Sequence, residues 1–168
     1  VYEAIENFNE QNQRDILSDW ENIIFHLPYA YHGRRMFVEK WIDWMKENNQ
    51  FDKIYSEIGK PDSTEDKDWI KKVSKSNIYN SFIREKISPG EKASSEIGNM
   101  YTASIFMSLI SSLVESLEKD RKLENKKIGF ISYGSGSKAK IFEGTIEKDW
   151  IKKTKLTKLF ENLDNRKK

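Results

Sequence analysis

The chain has no cysteine, which removes disulfides, thiolate metal sites and a cysteine nucleophile from its own chemistry. It also lacks a charge bias. Its net charge of +2 is the small difference between many charges of both signs, so nucleic acid is not implied as a partner. The lysine-rich end, residues 152–168, reads as a solvated helix face or tail. No apolar run is long enough to cross a bilayer: the longest, residues 105–114, is short and broken by serines. No signal or transit pattern is visible, so the reading is cytoplasmic, with no membrane. Two histidines six residues apart, His26 and His32, with scattered carboxylates, make no metal site. What remains is 168 residues, length enough for one domain with a real core.

The clearest local pattern is KIGFISYGSGSKAKIFEGTIE at residues 127–147. It predicts a strand near 128–132, a small-residue loop, and a second strand over 138–146. In the second strand Ile141, Glu143 and Thr145 share one face, while Phe142, Gly144 and Ile146 share the other. Gly134-Ser135-Gly136-Ser137 allows tight turns and close approach of backbone to a ligand. The loop lacks the spacing of a Walker or dinucleotide fingerprint, so an ordinary hairpin turn stays open beside the ligand-binding reading.

Upstream, Ile5 and Phe8 mark an amphipathic helix over 2–13. Residues 22–25 form a compact apolar run, read as a short buried strand. Pro28 removes a donor and biases Leu27 toward extended geometry, which ends the strand and leaves His26 at its carboxyl end. From Tyr29 the spacing changes. Met36, Phe37, Lys40, Trp41, Trp44 and Met45 recur at three and four residues, predicting a helix to about Asn48 whose aromatic stripe belongs to the core. Shorter helices follow at 51–58, 69–75 and 78–87, with cap chemistry in Ser63-Thr64-Glu65-Asp66 and a break at Ser88-Pro89-Gly90. Residues 100–117 predict an apolar helix with Ile105, Leu109, Leu113 and Leu117 on one stripe. Between them Ala103, Ser104, Ser108, Ser111 and Ser112 are small enough to permit close packing on a sheet or a helix.

Three short motifs remain: His26-Leu27-Pro28 at a strand end, GNMYTAS at residues 98–104, and SYGSGS at residues 132–137. Singly, each has an ordinary reading as a satisfied histidine, a helix cap and a turn. Together, across FHLPYAYHGRRMF, IGNMYTASIFMSLISSL and IGFISYGSGS, they resemble the 3-hydroxy-3-methylglutaryl-CoA synthase family of the thiolase superfamily, in the order of its carboxyl-terminal half.

That resemblance implies an α/β fold: the C-terminal half of a thiolase-like fold, a partial mixed sheet covered by helices, with a helical insertion over about residues 50–90. It implies condensation of acetyl-CoA with acetoacetyl-CoA, with CoA thioesters as substrates and no cofactor. His26 matches the histidine that holds and polarises the acceptor, Asn99 the asparagine beside it, and Ser135 the serine whose backbone N–H helps form an oxyanion hole. Tyr31, Arg34, Arg35, Tyr101, Tyr133 and Gly134 become candidates for contacts with substrate or CoA. The family commonly has lysine where Tyr31 stands; Arg35, four residues on, is the basic group expected to take phosphate. His32 is expected on the surface of the helix start. An upstream half supplies the cysteine that is acetylated and the glutamate that removes a methyl proton, so this chain alone is expected to be inactive. It is expected to belong with that segment, in one polypeptide or as a second chain, and to pair as a homodimer. A related condensing enzyme acting on carrier-bound acyl groups, and a non-catalytic acyl-CoA-binding subunit, are the other readings.

Overall fold

Residues 1–62, 66–134 and 138–166 are described by a computed structural model, in which a three-stranded mixed sheet is packed on both faces by helices. Strand β1 (Trp20–Phe25) lies parallel to β2 (Lys127–Gly134), and β3 (Lys138–Thr145) pairs antiparallel with β2 on its other side. Parallel neighbours need a long crossover, and the whole helical middle of the chain serves as that connection. It comprises α3 (His32–Glu47), α4 (Phe51–Ile58), α5 (Lys67–Val73), α6 (Asn77–Lys86), α7 (Ser88–Ile97) and α8 (Ala103–Glu118). Two helices precede β1, α1 (Tyr2–Asn12) and α2 (Ile16–Asp19), and two follow β3, α9 (Trp150–Thr157) and α10 (Leu159–Arg166). The partial mixed sheet covered by helices is thus the fold that the sequence resemblance implies.

Strand alternation divides the core in two. Ile23, Phe25 and Ile131 pack with Ile5 of α1, Phe37 and Trp41 of α3, and buried side chains of α4 to α6. Ile24, Ile128 and Phe130 turn to the other face, against Ile105, Leu109 and Leu113 of α8. The serines of α8 do what small residues on an apolar stripe can do. Ser104, Ser108, Ser111, Ser112 and Ser116 are all fully buried, and Ser111 Oγ both accepts from Ala93 N–H at 3.2 Å and donates to Pro89 O at 2.9 Å, locking α8 to α7. Ser112 Oγ donates to Asn22 Oδ1 at 3.1 Å, while Asn22 Nδ2 donates to Glu85 O at 3.1 Å. An unpaired buried amide costs about 1–3 kcal/mol, so these bonds fix where β1 sits relative to α8.

Three local differences from the sequence reading have physical reasons. The break expected at Ser88-Pro89-Gly90 is the start of α7: proline is tolerated in a first turn, where its missing N–H would have no helical partner. Four residues before β1 form α2, whose Leu17 N–H is capped by Asp15 at 3.2 Å, and β1 accordingly begins at Trp20. Asp66 accepts from the Asp68 and Trp69 N–H groups at 2.9 and 3.0 Å and caps α5; Ser63, Thr64 and Glu65, expected to share in that cap, lie outside the described residues.

Candidate functional site

His26 follows directly on β1, and its backbone is held from two sides. Its N–H donates to Ile131 O of β2 at 3.0 Å, and the next N–H, that of Leu27, donates to Ser104 Oγ in the first turn of α8 at 3.0 Å. The same Ser104 Oγ lies 2.9 Å from His26 Nδ1. Tyr133, near the end of β2, meets the His26 ring edge-on with centroids 5.7 Å apart, and His32 leans on the other ring contact of Tyr133 at 5.6 Å. Burial pushes the His26 pKa below the ordinary imidazole value, so the ring is neutral at neutral pH. Burial also raises the Tyr133 phenol to about 12, and among the described residues its hydroxyl has no hydrogen-bond partner.

These groups border a cleft of about 640 Å³ that His26, Thr102, Ile105, Tyr133, Gly134 and Lys138 line. A Cβ built on Gly134 would meet no atom within 4 Å, so the backbone there faces open space that a ligand can approach. An uncharged imidazole beside accessible backbone is suited to donating hydrogen bonds to an oxygen that gains negative charge.

The other residues expected from sequence fall in several places. Ser135 lies outside the described residues, as do Gly136 and Ser137; their flanks, Gly134 and Lys138, both line the cleft. Asn99 is exposed, and its Oδ1 accepts from Tyr101 N–H at 2.9 Å; among the described residues its Nδ2 has no acceptor. Tyr101 is exposed with φ 50°; the cleft lining resumes one residue later, at Thr102. Tyr31 and Arg34 lie together elsewhere, the guanidinium 4.7 Å over the phenol ring. Arg34 Nε donates to Glu91 Oε1 at 3.0 Å, its Nη2 pairs with the other Glu91 oxygen and donates to Ser88 Oγ at 3.1 Å. The Glu91 carboxylate reinforces the Arg34 charge, whereas burial raises the Glu91 pKa against the pull of Arg34. Arg35 is exposed and has no ion-pair partner among the described residues.

His32 is a correction. Expected at the surface, it is half-buried against Tyr133, because the turn closed by His32 N–H to Tyr29 O at 3.0 Å folds the start of α3 back over the end of β2. Ser104, which reads in sequence as a spacer, is the other residue the linear reading missed. Its one signal is that it opens a stripe of serines, with Ser108, Ser111 and Ser112, in the first turn of the helix. Among the described residues, no group of three or more His, Cys, Asp or Glu side chains could hold a metal ion, and no helix is long and apolar enough to cross a membrane.

The family model described as hydroxymethylglutaryl-coenzyme A synthase C terminal matches residues 2–168. A hydroxymethylglutaryl-CoA synthase of Aspergillus fumigatus is 31% identical over 146 residues, covering 82% of this chain and 30% of that protein. The cytoplasmic hydroxymethylglutaryl-CoA synthase of Homo sapiens is 29% identical over 164 residues, covering 92% of this chain and 31% of that protein. Among solved structures, MvaS in complex with 3-hydroxy-3-methylglutaryl coenzyme A superposes with a TM-score of 0.63 at 20% identity, covering 88% of this chain and 31% of MvaS. The curacin biosynthetic pathway HMG synthase in complex with apo donor-ACP gives 0.65 at 17% identity, covering 95% and 33%. The chain therefore spans about a third of the length of the proteins it matches.

Proposed function

The chain belongs to the hydroxymethylglutaryl-coenzyme A synthase C-terminal family, and on that premise we propose that it supplies the acceptor-activating side of an enzyme that condenses acetyl-CoA with acetoacetyl-CoA. The observation that carries this reading is the His26 imidazole, anchored at a strand end by Ser104 and bordering a cleft of about 640 Å³ together with Gly134, where burial favours its uncharged form. In the reaction, an acetyl group held as a cysteine thioester loses a methyl proton to a glutamate, and the resulting enolate attacks the ketone carbon of acetoacetyl-CoA. Water then cleaves the thioester. The cysteine must come from a segment other than this chain, which has none.

As the carbon–carbon bond forms, negative charge moves onto the former ketone oxygen. An imidazole N–H from His26 donates there, Asn99 adds an amide donor that does not titrate, and the Ser135 N–H serves the thioester carbonyl. Tyr133 and Gly134 border the acyl end of the cleft in this reading, and Tyr31 and Tyr101, which lie outside its lining, are assigned to the pantetheine end. Arg35 takes phosphate charge, while Arg34, already engaged by Glu91, holds the helix that presents it. The reading also makes the assembled enzyme a cytoplasmic homodimer, which the cytoplasmic human relative and the superfamily resemblance support.

The test is formation of hydroxymethylglutaryl-CoA with the cysteine-bearing half present. His26→Ala should lower kcat by about 10²- to 10³-fold, as loss of one oxyanion donor does. An unchanged rate would remove His26 from the chemistry. Acetoacetyl-CoA and acetoacetyl carrier protein, offered in parallel, decide between CoA-bound and carrier-bound acceptors. Binding of acyl-CoA without product from either acceptor would identify a non-catalytic subunit. In Arg35→Ala the KM for acetoacetyl-CoA should rise about tenfold, the order of one charge-assisted contact; an unaltered KM would take Arg35 out of the phosphate site.

A further inference from the structure

We propose that Ser104 is a positioning residue that fixes the tautomer of His26, keeping the ring proton on Nε2 so that the N–H is presented to the cleft. This deepens the reading of His26 as a donor and rests on it. The argument is a count of protons. Ser104 Oγ accepts Leu27 N–H at 3.0 Å and lies 2.9 Å from His26 Nδ1. A hydroxyl carries one proton, and Ser104 is fully buried; Ser94, Ser108 and Ser116 are buried hydroxyls that find no partner among the described residues, whereas Ser104 has an imidazole nitrogen within reach, and leaving its proton unpaired would forfeit that bond.

The usual intrahelical outlet is not taken. Ser56, Ser74, Ser76 and Ser95 each donate to the carbonyl three residues back, at 3.0, 2.8, 2.7 and 2.7 Å. Ser104 makes no such bond; among the described residues, Nδ1 is the one acceptor its hydroxyl has. With the serine proton directed at Nδ1, that nitrogen is the acceptor, and a neutral ring carries its own proton on Nε2. The opposite tautomer would send Nδ1–H to Oγ and strand a buried hydroxyl proton with nothing to receive it. Because burial keeps the ring neutral, the tautomer is a real choice, and one buried oxygen makes it. The same oxygen holds the Leu27 backbone, so ring orientation and strand end are set together, with the Tyr133 edge contact at 5.7 Å confining the ring plane.

Two histidines in the whole chain make this directly observable. Long-range ¹H–¹⁵N spectra of the labelled full chain, with His26 assigned by comparison with His32→Gln, should show a protonated Nε2 and an unprotonated, hydrogen-bonded Nδ1. Ser104→Ala should return His26 to a mixture of tautomers, and Ser104→Thr, which keeps the hydroxyl, should preserve the native pattern. With the cysteine-bearing half present, Ser104→Ala should lower kcat by about 10- to 100-fold, with a smaller change in KM, and Ser104→Thr should restore it. A protonated Nδ1 in the unsubstituted chain overturns the proposal even if no variant folds. A tautomer or kcat that Ser104→Ala leaves unchanged overturns it as well. The spectra need no substrate, so a native Nε2–H signal in a protein that makes no product would fault the condensing-enzyme reading and leave the tautomer assignment standing.

Discussion

Gly129→Ala is expected to abolish the native fold, a loss of more than about 4 kcal/mol, beyond what ordinary point substitutions cost. Gly129 occupies the middle of β2, paired with Ile23 on one side and Glu143 on the other. The indole of Trp20 lies flat against it: a Cβ placed there would sit 1.7 Å from Trp20 Cε3, 1.9 Å from Cδ2 and 2.0 Å from Cζ3. These are ring atoms, not the free end of a flexible chain. The indole has nowhere to go, since Trp20 is fully buried, its Nε1 donates to Glu143 Oε2 at 2.8 Å, and Phe8 packs edge-on at 5.6 Å. Either the strand separates from its neighbours or the indole leaves the core. Soluble yield and near-ultraviolet circular dichroism, which reports fixed aromatic packing, are the measurements. Adding Trp20→Leu should recover part of the loss, because it removes the atoms that the methyl meets. A Gly129→Ala protein that melts with the unsubstituted one would mean that the indole does not cover this glycine.

That contact also marks where linear reading stops. A glycine inside a strand signals close approach by something, but the sequence around Gly129 carries no hint that the visitor is Trp20 from the far end of the chain. The hairpin, the strand ended before Pro28 and the long helix after Tyr29 were legible because turn chemistry, proline geometry and helical spacing act over a few residues. The parallel pairing of β1 with β2 was not, since no local rule chooses a partner across an all-helical crossover. The site divides the same way. His26 and the Gly134 loop stand out as motifs, whereas the hydroxyl against His26 and the ring contact between His32 and Tyr133 arise only when α8 and α3 close on the strand ends. Arg34 and Arg35 show the limit most sharply. Adjacent in sequence and alike in chemistry, they leave the helix on different sides, one onto a buried carboxylate and the other into solvent.

Arg34→Met should destabilise the protein by about 3–5 kcal/mol, the cost of leaving one member of a buried pair without the other. Glu91 is the member that would suffer, its side chain only 3% exposed. Its oxygens face Arg34 Nε and Nη2, and Ser88 shares the guanidinium, so the pair ties α3 to the first turn of α7. Methionine fills much of the arginine stem but offers no donor, and Glu91 must then lose its charge or draw in water. The sign of the pH effect follows. Burial already raises the folded-state carboxyl above its ordinary 4.5, so the native state binds that proton more readily than the unfolded chain does. The associated stability is present at low pH and is lost as pH rises through the folded value. Arg34 opposes that shift, and its removal widens the window. Denaturant midpoints of Arg34→Met should therefore fall more steeply than those of the unsubstituted protein as pH rises above the ordinary carboxyl value. Arg34→Met with Glu91→Gln should regain most of the loss and flatten the pH dependence, because a neutral amide asks far less of its surroundings than a carboxylate. Equal stability in the single and double variants would show that the carboxylate is satisfied by other groups. A Arg34→Met protein of native stability whose KM for acetoacetyl-CoA alone has risen would instead assign the guanidinium to the substrate.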